Sequence, residues 1–410
     1  MADDHGAATW DVPAHVPPEL VRDFKFETLP GGDVDSVQAA ADAVRGGPDI
    51  FYGLSTRRGE GAWVIARHEL IREVYQDAEL FSSRHNADFA RLIGEEWPLL
   101  PLEADPPAHA AWRILLNPIF APARMRAMEA DIETLAVDLV DGIVAKGEAE
   151  FVADFGEVFP VRIFLRMFGL PLEHTDHFVA WEGDLLHSLT IEGRQHAARA
   201  IVDYLRKVIA ERRAQPTDDL LSYIATTEIE GRKLTADEAL GVAFLLYSAG
   251  LDTVANMLGF MFKHLAEHPK DQQMLRDEPA LIPDAIEELM RAYPIVISGR
   301  EVTRDVEFHG VRMKAGDVVS LPTMLAGRDE REFSNPDVID FRREKVSHIT
   351  FAAGPHRCVG SHLARRELRI ALEEWLKRVP PFRIKPGERA ITHGIGVFGV
   401  ERLPLVWDKA

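Results

Sequence analysis

The chain has 410 residues, with 47 Lys+Arg against 66 Asp+Glu and a formal net charge of −19 at pH 7, a balance that excludes generic binding to nucleic acid or to an anionic membrane while leaving room for a local basic patch. Hydrophobic residues make up 46% and charged residues 28%, which excludes disorder as the main state. The single cysteine, Cys358, excludes an intramolecular disulfide framework and any metal cluster needing several thiolates from one chain.

The opening MADDHGAATWDVPAHVPPEL is acidic and proline-bearing, without the basic start or apolar core of a secretory signal, so a cytoplasmic protein is expected. Strand signals appear first at Gly61 to Ala66. From about Ala108 to Arg291 apolar residues recur every three or four positions, as in Ala197 to Arg212, and helices are expected to dominate. The strongly apolar stretch around Gly241 to Leu251 falls short of the about 20 residues a membrane span needs. Thr235-Ala236-Asp237-Glu238 reads as a capping box opening a long helix that should run to His268-Pro269, since proline disfavours helical geometry in the residue before it. Short strands follow in Val302 to Leu321, punctuated at His309-Gly310 and Lys314 to Asp317, and again in Gly394 to Trp407. No linker, repeat or low-complexity tract divides the chain, so one domain over residues 1–410 is expected, mainly α with a minor β region.

The chemistry-bearing segment is Phe351-Ala352-Ala353-Gly354-Pro355-His356-Arg357-Cys358-Val359-Gly360. Leu368, Leu372, Trp375 and Leu376 after it keep helical spacing, which places Cys358 just before a helix. There, unpaired amides and the helix dipole favour a thiolate, while the plainer reading of a lone cysteine is a small buried hydrophobe. Upstream, Ala249-Gly250-Leu251-Asp252-Thr253 interrupts the long capped helix. Interior glycine costs about 1 kcal/mol against alanine, and threonine can bond back to the carbonyl four residues earlier. Close packing at Gly250 and plain solvation of Asp252-Thr253 are the alternatives. His109 and Arg113 share one helix face at i, i+4, as does Glu288 with Arg291 at i, i+3; an exposed pair of the latter kind contributes only about 0.2–0.5 kcal/mol.

The pattern Phe-x-x-Gly-x-His-x-Cys-x-Gly resembles the haem-binding loop of cytochromes P450, and five fixed positions match by chance in roughly 10⁻⁴ of chains this long. The resemblance implies haem b, with Cys358 as the axial thiolate and iron ligand and with Phe351 and His356 against the cofactor. Ala249 to Thr253 is similar to the family's oxygen-binding groove. It implies that Gly250 makes room for dioxygen, Thr253 holds oxygen and a water, and Asp252 relays protons. His109-x-x-x-Arg113 and Arg300 match the family's haem-propionate partners. Glu288-x-x-Arg291 matches its structural pair, with Arg342 or Arg343 completing the network.

Gly61-Ala62-Trp63-Val64-Ile65, Phe308-His309-Gly310-Val311, Lys345-Val346-Ser347-His348 and Leu403-Pro404-Leu405-Val406-Trp407 resemble the bacterial camphor-hydroxylase group. That likeness implies a monooxygenase using O₂ and served by a [2Fe-2S] ferredoxin and an NADH-dependent ferredoxin reductase. Arg72, Arg113, Lys345 and Arg365 match the basic face that meets the ferredoxin. The pocket positions are Trp97, Leu245, Ser248, Val296, Ser298 and Val397, with Phe89 in a loop of uncertain alignment; plain core is the alternative for the aliphatics. Trp97 stands where the camphor enzyme has its ketone-binding tyrosine, and Arg84 stands where it has a glutamate beside a potassium site, so that site is expected to be absent. The expected substrate is an oxygenated bicyclic monoterpenoid, 1,8-cineole before camphor. Alternatives are an ionone-type norisoprenoid, direct use of peroxide, or a haem-binding sensor or carrier without turnover.

Overall fold

Periodic apolar positions resolve into helices wherever a stripe has something to bury against. The computed structural model describes residues 12–25, 44–55, 61–84, 89–188, 190–344, 346–394 and 397–409. Its principal helices are α1 (His68–Gln76), α2 (Ala108–Leu116), α3 (Glu129–Val144), α4 (Val158–Phe168), α5 (Thr175–His187), α6 (Ile191–Ala214), α7 (Ala236–Gly250), α8 (Asp252–Glu267), α9 (Ile282–Ala292) and α10 (Ser361–Arg378). Helix accounts for about 52% of the chain and strand for 15%, as expected of a mainly α fold with a minor β region.

The strands are β1 (Val21–Lys25), β2 (Ile50–Ser55), β3 (Ala62–Ile65), β4 (Phe81–Ser82), β5 (Glu148–Glu150), β6 (Ile297–Val302), β7 (Val306–Phe308), β8 (Val311–Met313), β9 (Val318–Pro322), β10 (Phe382–Ile384), β11 (Ile391–His393), β12 (Gly399–Arg402) and β13 (Pro404–Trp407). Six of them form one sheet in the order β1-β2-β3-β9-β6-β4. Antiparallel pairing of β9 with β6 sets Val319 opposite Arg300 and Leu321 opposite Ser298. The β7–β8 hairpin turns at His309 and Gly310, both at positive φ, where the sequence places a turn. β1, β2 and β5 carry no strand signal in the sequence: Val-Arg-Asp-Phe-Lys and Glu-Ala-Glu are too short and too charged to show alternation, and Gly53 interrupts β2.

Thr235 accepts from the Glu238 amide and Glu238 reaches back to the Thr235 amide, so the expected capping box opens α7. The run continues through α8 and ends at His268. Ala236–Glu267 is long and apolar enough to cross a membrane, yet 72% of its most apolar window is buried in protein. It is the axis of the molecule: α7 packs into a core with α2, α4, α5 and α6, while α8 packs into another with α3, α9 and α10 around Phe151, Phe262 and Trp375.

Candidate active site

Cys358 lies in a backbone loop and not in a strand or helix. Its amide bonds the Phe351 carbonyl at 2.9 Å, closing residues 351–358 into one turn-rich hairpin that ends two residues before α10. Gly354 is required at its tip: φ is +68°, and a β-carbon there would sit 2.4 Å from the Tyr75 carbonyl. Behind the loop, Arg365 stacks on Phe351 at 4.6 Å and binds Glu287 at 2.5 and 2.8 Å, while His348 meets the same carboxylate at 3.1 Å. Sγ faces open space, although protein crowds it closely. Burial pushes the thiol up, against the downward pull of the Gly360 amide and of Arg113, Arg357 and Arg365. A helix start alone therefore does not make this thiolate, contrary to the local reading of the sequence. A metal cation bound at Sγ would supply the missing stabilisation.

Around this loop the fold gathers two guanidinium groups and two imidazoles, with Asp105 the acid nearest to them. His109 and His356 bring their rings within 4.1 Å, and both Nε2 atoms are buried with no hydrogen-bond partner. Burial, aided by Arg113, lowers His109 to about 4; burial with Arg300, His109 and Arg113 lowers His356 to about 3. Arg300 is buried over the Tyr75 ring at 5.3 Å and donates to the neighbouring Gly299 carbonyl at 2.6 Å. Arg113 donates to the Arg357 carbonyl at 2.8 Å and to Asn117. Among the described residues, neither arginine has a carboxylate at ion-pair distance. Two buried ring nitrogens without partners and two guanidinium groups without a carboxylate at ion-pair distance fit a dianionic group carrying two carboxylates, as haem does.

On the opposite wall, α7 turns one face to open space. Leu245, Ser248, Ala249, Asp252 and Thr253 follow i, i+3, i+4, i+7, i+8, and all are exposed or half-buried on a helix otherwise buried. The helix breaks as expected: α7 stops at Gly250, Leu251 stands between, and Thr253 Oγ1 donates to the Ala249 carbonyl at 2.9 Å. Gly250 also permits close packing, since a β-carbon there would stand 3.3 Å from Phe164. Asp252 is not simply solvated. Its Oδ1 meets His187 Nε2 at 2.9 Å and its Oδ2 is buried without a partner.

Trp97 is buried in the core beside Phe89, both stacking on Phe244, at 5.0 and 5.3 Å. The approach depends on Gly241, where a β-carbon would overlap the Pro98 carbonyl. Trp97 Nε1 lies near the Glu95 carboxylate, which Arg206 holds at 3.0 and 2.6 Å. Ser298 lies beside the buried Tyr75 hydroxyl, and Ser248 makes only a long 3.4 Å contact with the Leu245 carbonyl. The Phe398 amide bonds the Ile295 carbonyl at 2.9 Å, which brings half-buried Val397 and Val296 onto neighbouring segments. Arg84 places Nε 3.4 Å from Asp105, which also holds Ser82 and the Ser83 amide.

The structural pair is resolved in favour of Arg343. It meets Glu288 at 3.0 and 3.1 Å, whereas Arg342 turns outward to Glu278. Arg365, expected on a basic docking face, is held by Glu287 and Phe351; Arg72 and Arg357 are exposed, and Lys345 lies outside the described residues. What the sequence did not single out is the polar cluster behind Asp252, made of His187, Glu157, Glu182 and His393. These residues are scattered over three elements and share no motif.

A family model described as Cytochrome P450 matches residues 184–390. Over 402 residues the chain is 45% identical to the "Probable cytochrome P450 127A1" of Sinorhizobium fredii (strain NBRC 101917 / NGR234), with 97% of each chain covered. Among solved structures, Cytochrome P450 CYP101C1 is similar with a TM-score of 0.87 at 36% identity, covering 97% of this chain and 100% of that one. CYP101J2 is similar at 0.86 and 34%, with the same coverage. With the thiol-bearing loop, the anion-seeking cations and the broken helix in place, these likenesses extend from the site to the whole chain. The chain belongs to the cytochrome P450 family.

Proposed function

We propose that this P450 monooxygenase hydroxylates a compact, mostly apolar, oxygenated bicyclic monoterpenoid, 1,8-cineole before camphor, with electrons from a [2Fe-2S] ferredoxin and an NADH-dependent reductase. The family holds haem b through a cysteine thiolate, and this chain has a single cysteine. Bound there, the haem-thiolate activates O₂ for insertion into a C–H bond.

The chain's own residues position and protonate. His109, His356, Arg113 and Arg300 would hold the propionates, and Phe351 with Arg365 stiffens the loop under the ring. Thr253 commits its hydroxyl hydrogen to the Ala249 carbonyl, so its oxygen lone pairs are left to accept a hydrogen bond from a water or a protonated group on the pocket side. Asp252 supplies protons from behind. A sensor or carrier has no need of this acid–alcohol pair.

The observation that carries the substrate reading is the open face of α7. Leu245, Ser248 and Ala249 offer a small, largely apolar surface beside the buried Phe244, and we assign half-buried Val296 and Val397 to the same pocket. Shape and buried area would supply most of the affinity. The hydroxyls of Ser298 and Ser248 favour a ligand carrying one acceptor oxygen. The ferredoxin would land on Arg72, Arg113 and Arg357 around Ile114, which is 75% exposed on α2. A cytoplasmic location fits this partnership.

Titrating 1,8-cineole, camphor and β-ionone while following the low- to high-spin shift, then measuring coupled turnover, tests the reading. Cineole should bind tightest. Preference for camphor would show that Trp97 replaces the tyrosine donor fully, and preference for β-ionone would show a larger pocket.

A further inference from the structure

His187 ends α5 with Nε2 2.9 Å from Asp252 Oδ1, and it keeps 23% of its side chain exposed where Asp252 keeps 10%. A lysine or arginine there would only neutralise the carboxylate, being charged throughout the working pH range. Imidazole changes charge between about pH 5 and 8 and carries a transferable proton on each side of its ring.

Every element packed around the pair adds a titratable or charged group. Glu157 stands at the start of α4 with Glu150 of β5 beyond it, and Glu182 lies on α5 itself. Tyr247 of α7 reaches the Phe178 carbonyl near Glu182, His393 of β11 sets its ring 4.2 Å from His187, and Arg194 of α6 is held by the Leu185 carbonyl. Both Glu182 oxygens are buried without hydrogen-bond partners, as is Asp252 Oδ2. Burial and the Asp252 charge push Glu157 up to about 7 and Glu182 well above the carboxylate range, so near neutral pH Glu182 holds its proton and Glu157 does so in part. Glu157 and Glu182 are thus pushed toward their protonated forms beside the one carboxylate that His187 touches.

We infer that His187 is the proton-entry residue for Asp252, a relay and positioning group that makes proton supply to the pocket dependent on pH. The inference rests on the reading of Asp252 as proton donor. In the relay step the Nε2–H bond of the imidazolium breaks as an O–H bond forms on Asp252 Oδ1. Solvent returns a proton to the imidazole, and Asp252 releases its proton toward Thr253. Each cycle moves one proton inward and needs no electron beyond those of the monooxygenase reaction.

The test measures product formed per NADH by the holoenzyme from roughly pH 6 to 9, in H₂O and in D₂O. His187→Gln keeps a donor for Oδ1 but carries no transferable proton. It should lower coupling by about tenfold and flatten both the pH profile and the solvent isotope effect, and His187→Lys should restore the ion pair without the profile. A His187→Gln enzyme with the parental profile and isotope effect overturns the relay. Full coupling in Asp252→Asn would instead overturn the parent reading of Asp252. A defect in Asp252→Asn with none in His187→Gln refutes the relay alone. An arm that needs no His187 variant follows the His187 ring by NMR in the reduced carbon-monoxide complex. Its titration midpoint should fall in Asp252→Asn, and an unmoved midpoint counts against the proposal.

Discussion

Exchanging one carboxylate oxygen for an amide nitrogen at Glu288 should destabilise the protein more than the sequence spacing alone implies. Glu288 and Arg291 are both 0% exposed, and Arg291 meets the carboxylate through Nε and Nη2 at 2.8 Å each. Arg343 adds Nε at 3.0 and 3.1 Å, and the Asp340 amide donates to Oε1 at 3.0 Å. The two guanidinium groups then bind the carbonyls of Gly327, Ser334, Pro336 and Val338, so one anion organises the segment from 327 to 343. Glu288→Gln keeps the shape, removes the charge and turns one acceptor into a donor facing N–H groups. Breaking a buried pair from one side costs about 3–5 kcal/mol, ten times the exposed i, i+3 value. At about 2.1 cal/mol/K per residue, 410 residues give an unfolding entropy near 0.86 kcal/mol/K, so Tm should drop by about 3–6 °C. Circular dichroism and loss of the haem absorption, followed together on heating, read the change. A melting point within a degree of the parent, with full haem retention, would falsify the claim that this anion organises the segment.

Cys358→Ser should abolish the reduced carbon-monoxide band near ~450 nm, and its survival would remove Cys358 as the ligand. Thr253→Ala should keep substrate binding and NADH consumption while diverting electrons to peroxide; an unchanged product yield per NADH contradicts the role given to its hydroxyl. Arg113→Glu should slow reduction by the ferredoxin and remove part of its salt dependence, once haem content is shown to be equal; transfer indifferent to ionic strength points to another docking face. Although burial raises the Glu287 carboxyl, Arg365 and His348 hold it down to about 2, from 4.5. A depressed folded value means stability that is complete above the ordinary range and lost as pH falls through about 2, roughly 3 kcal/mol in all. Acid titration should therefore erase the stability difference between the parent and Glu287→Gln, and a difference unchanged at the acid end refutes it.

How much of this was legible in the sequence depends on how local the cause is. The capping box at Thr235, the break after Gly250, the turn at His309-Gly310 and the loop before Cys358 are each dictated within a few residues, and all stand where the spacing puts them. His109, Arg113, Arg300 and His356 were legible one residue at a time, because each stands in a motif that resembles the family's, and the structure brings His109, His356 and Arg113 together around the Cys358 loop. Arg343 against Arg342 was not, since neighbours in sequence point to opposite sides of a loop. Nor was the tethering of Arg365, which depends on Glu287 in another helix. His187 was the least legible: its meaning comes from Asp252, 65 residues away, and nothing in α5 marks its last turn.

The break in the central helix connects these observations. A continuous helix through residues 249–253 would satisfy every amide internally and leave no place for a buried anion. Ending α7 at Gly250 and starting α8 at Asp252 puts a second helix N-terminus in the middle of the protein, with an acid in its first turn. The dipole end of a helix favours negative charge, and Asp252 in that first turn meets His187. The interior glycine costs about 1 kcal/mol of helix stability. In return the same interruption opens the pocket face at Ala249, turns Thr253 back onto the Ala249 carbonyl, and leaves Asp252 between that threonine and a solvent-reaching imidazole. One local defect in an otherwise apolar core helix thus places both the hydroxyl and the carboxylate to which we assign the oxygen side of the pocket and its proton supply.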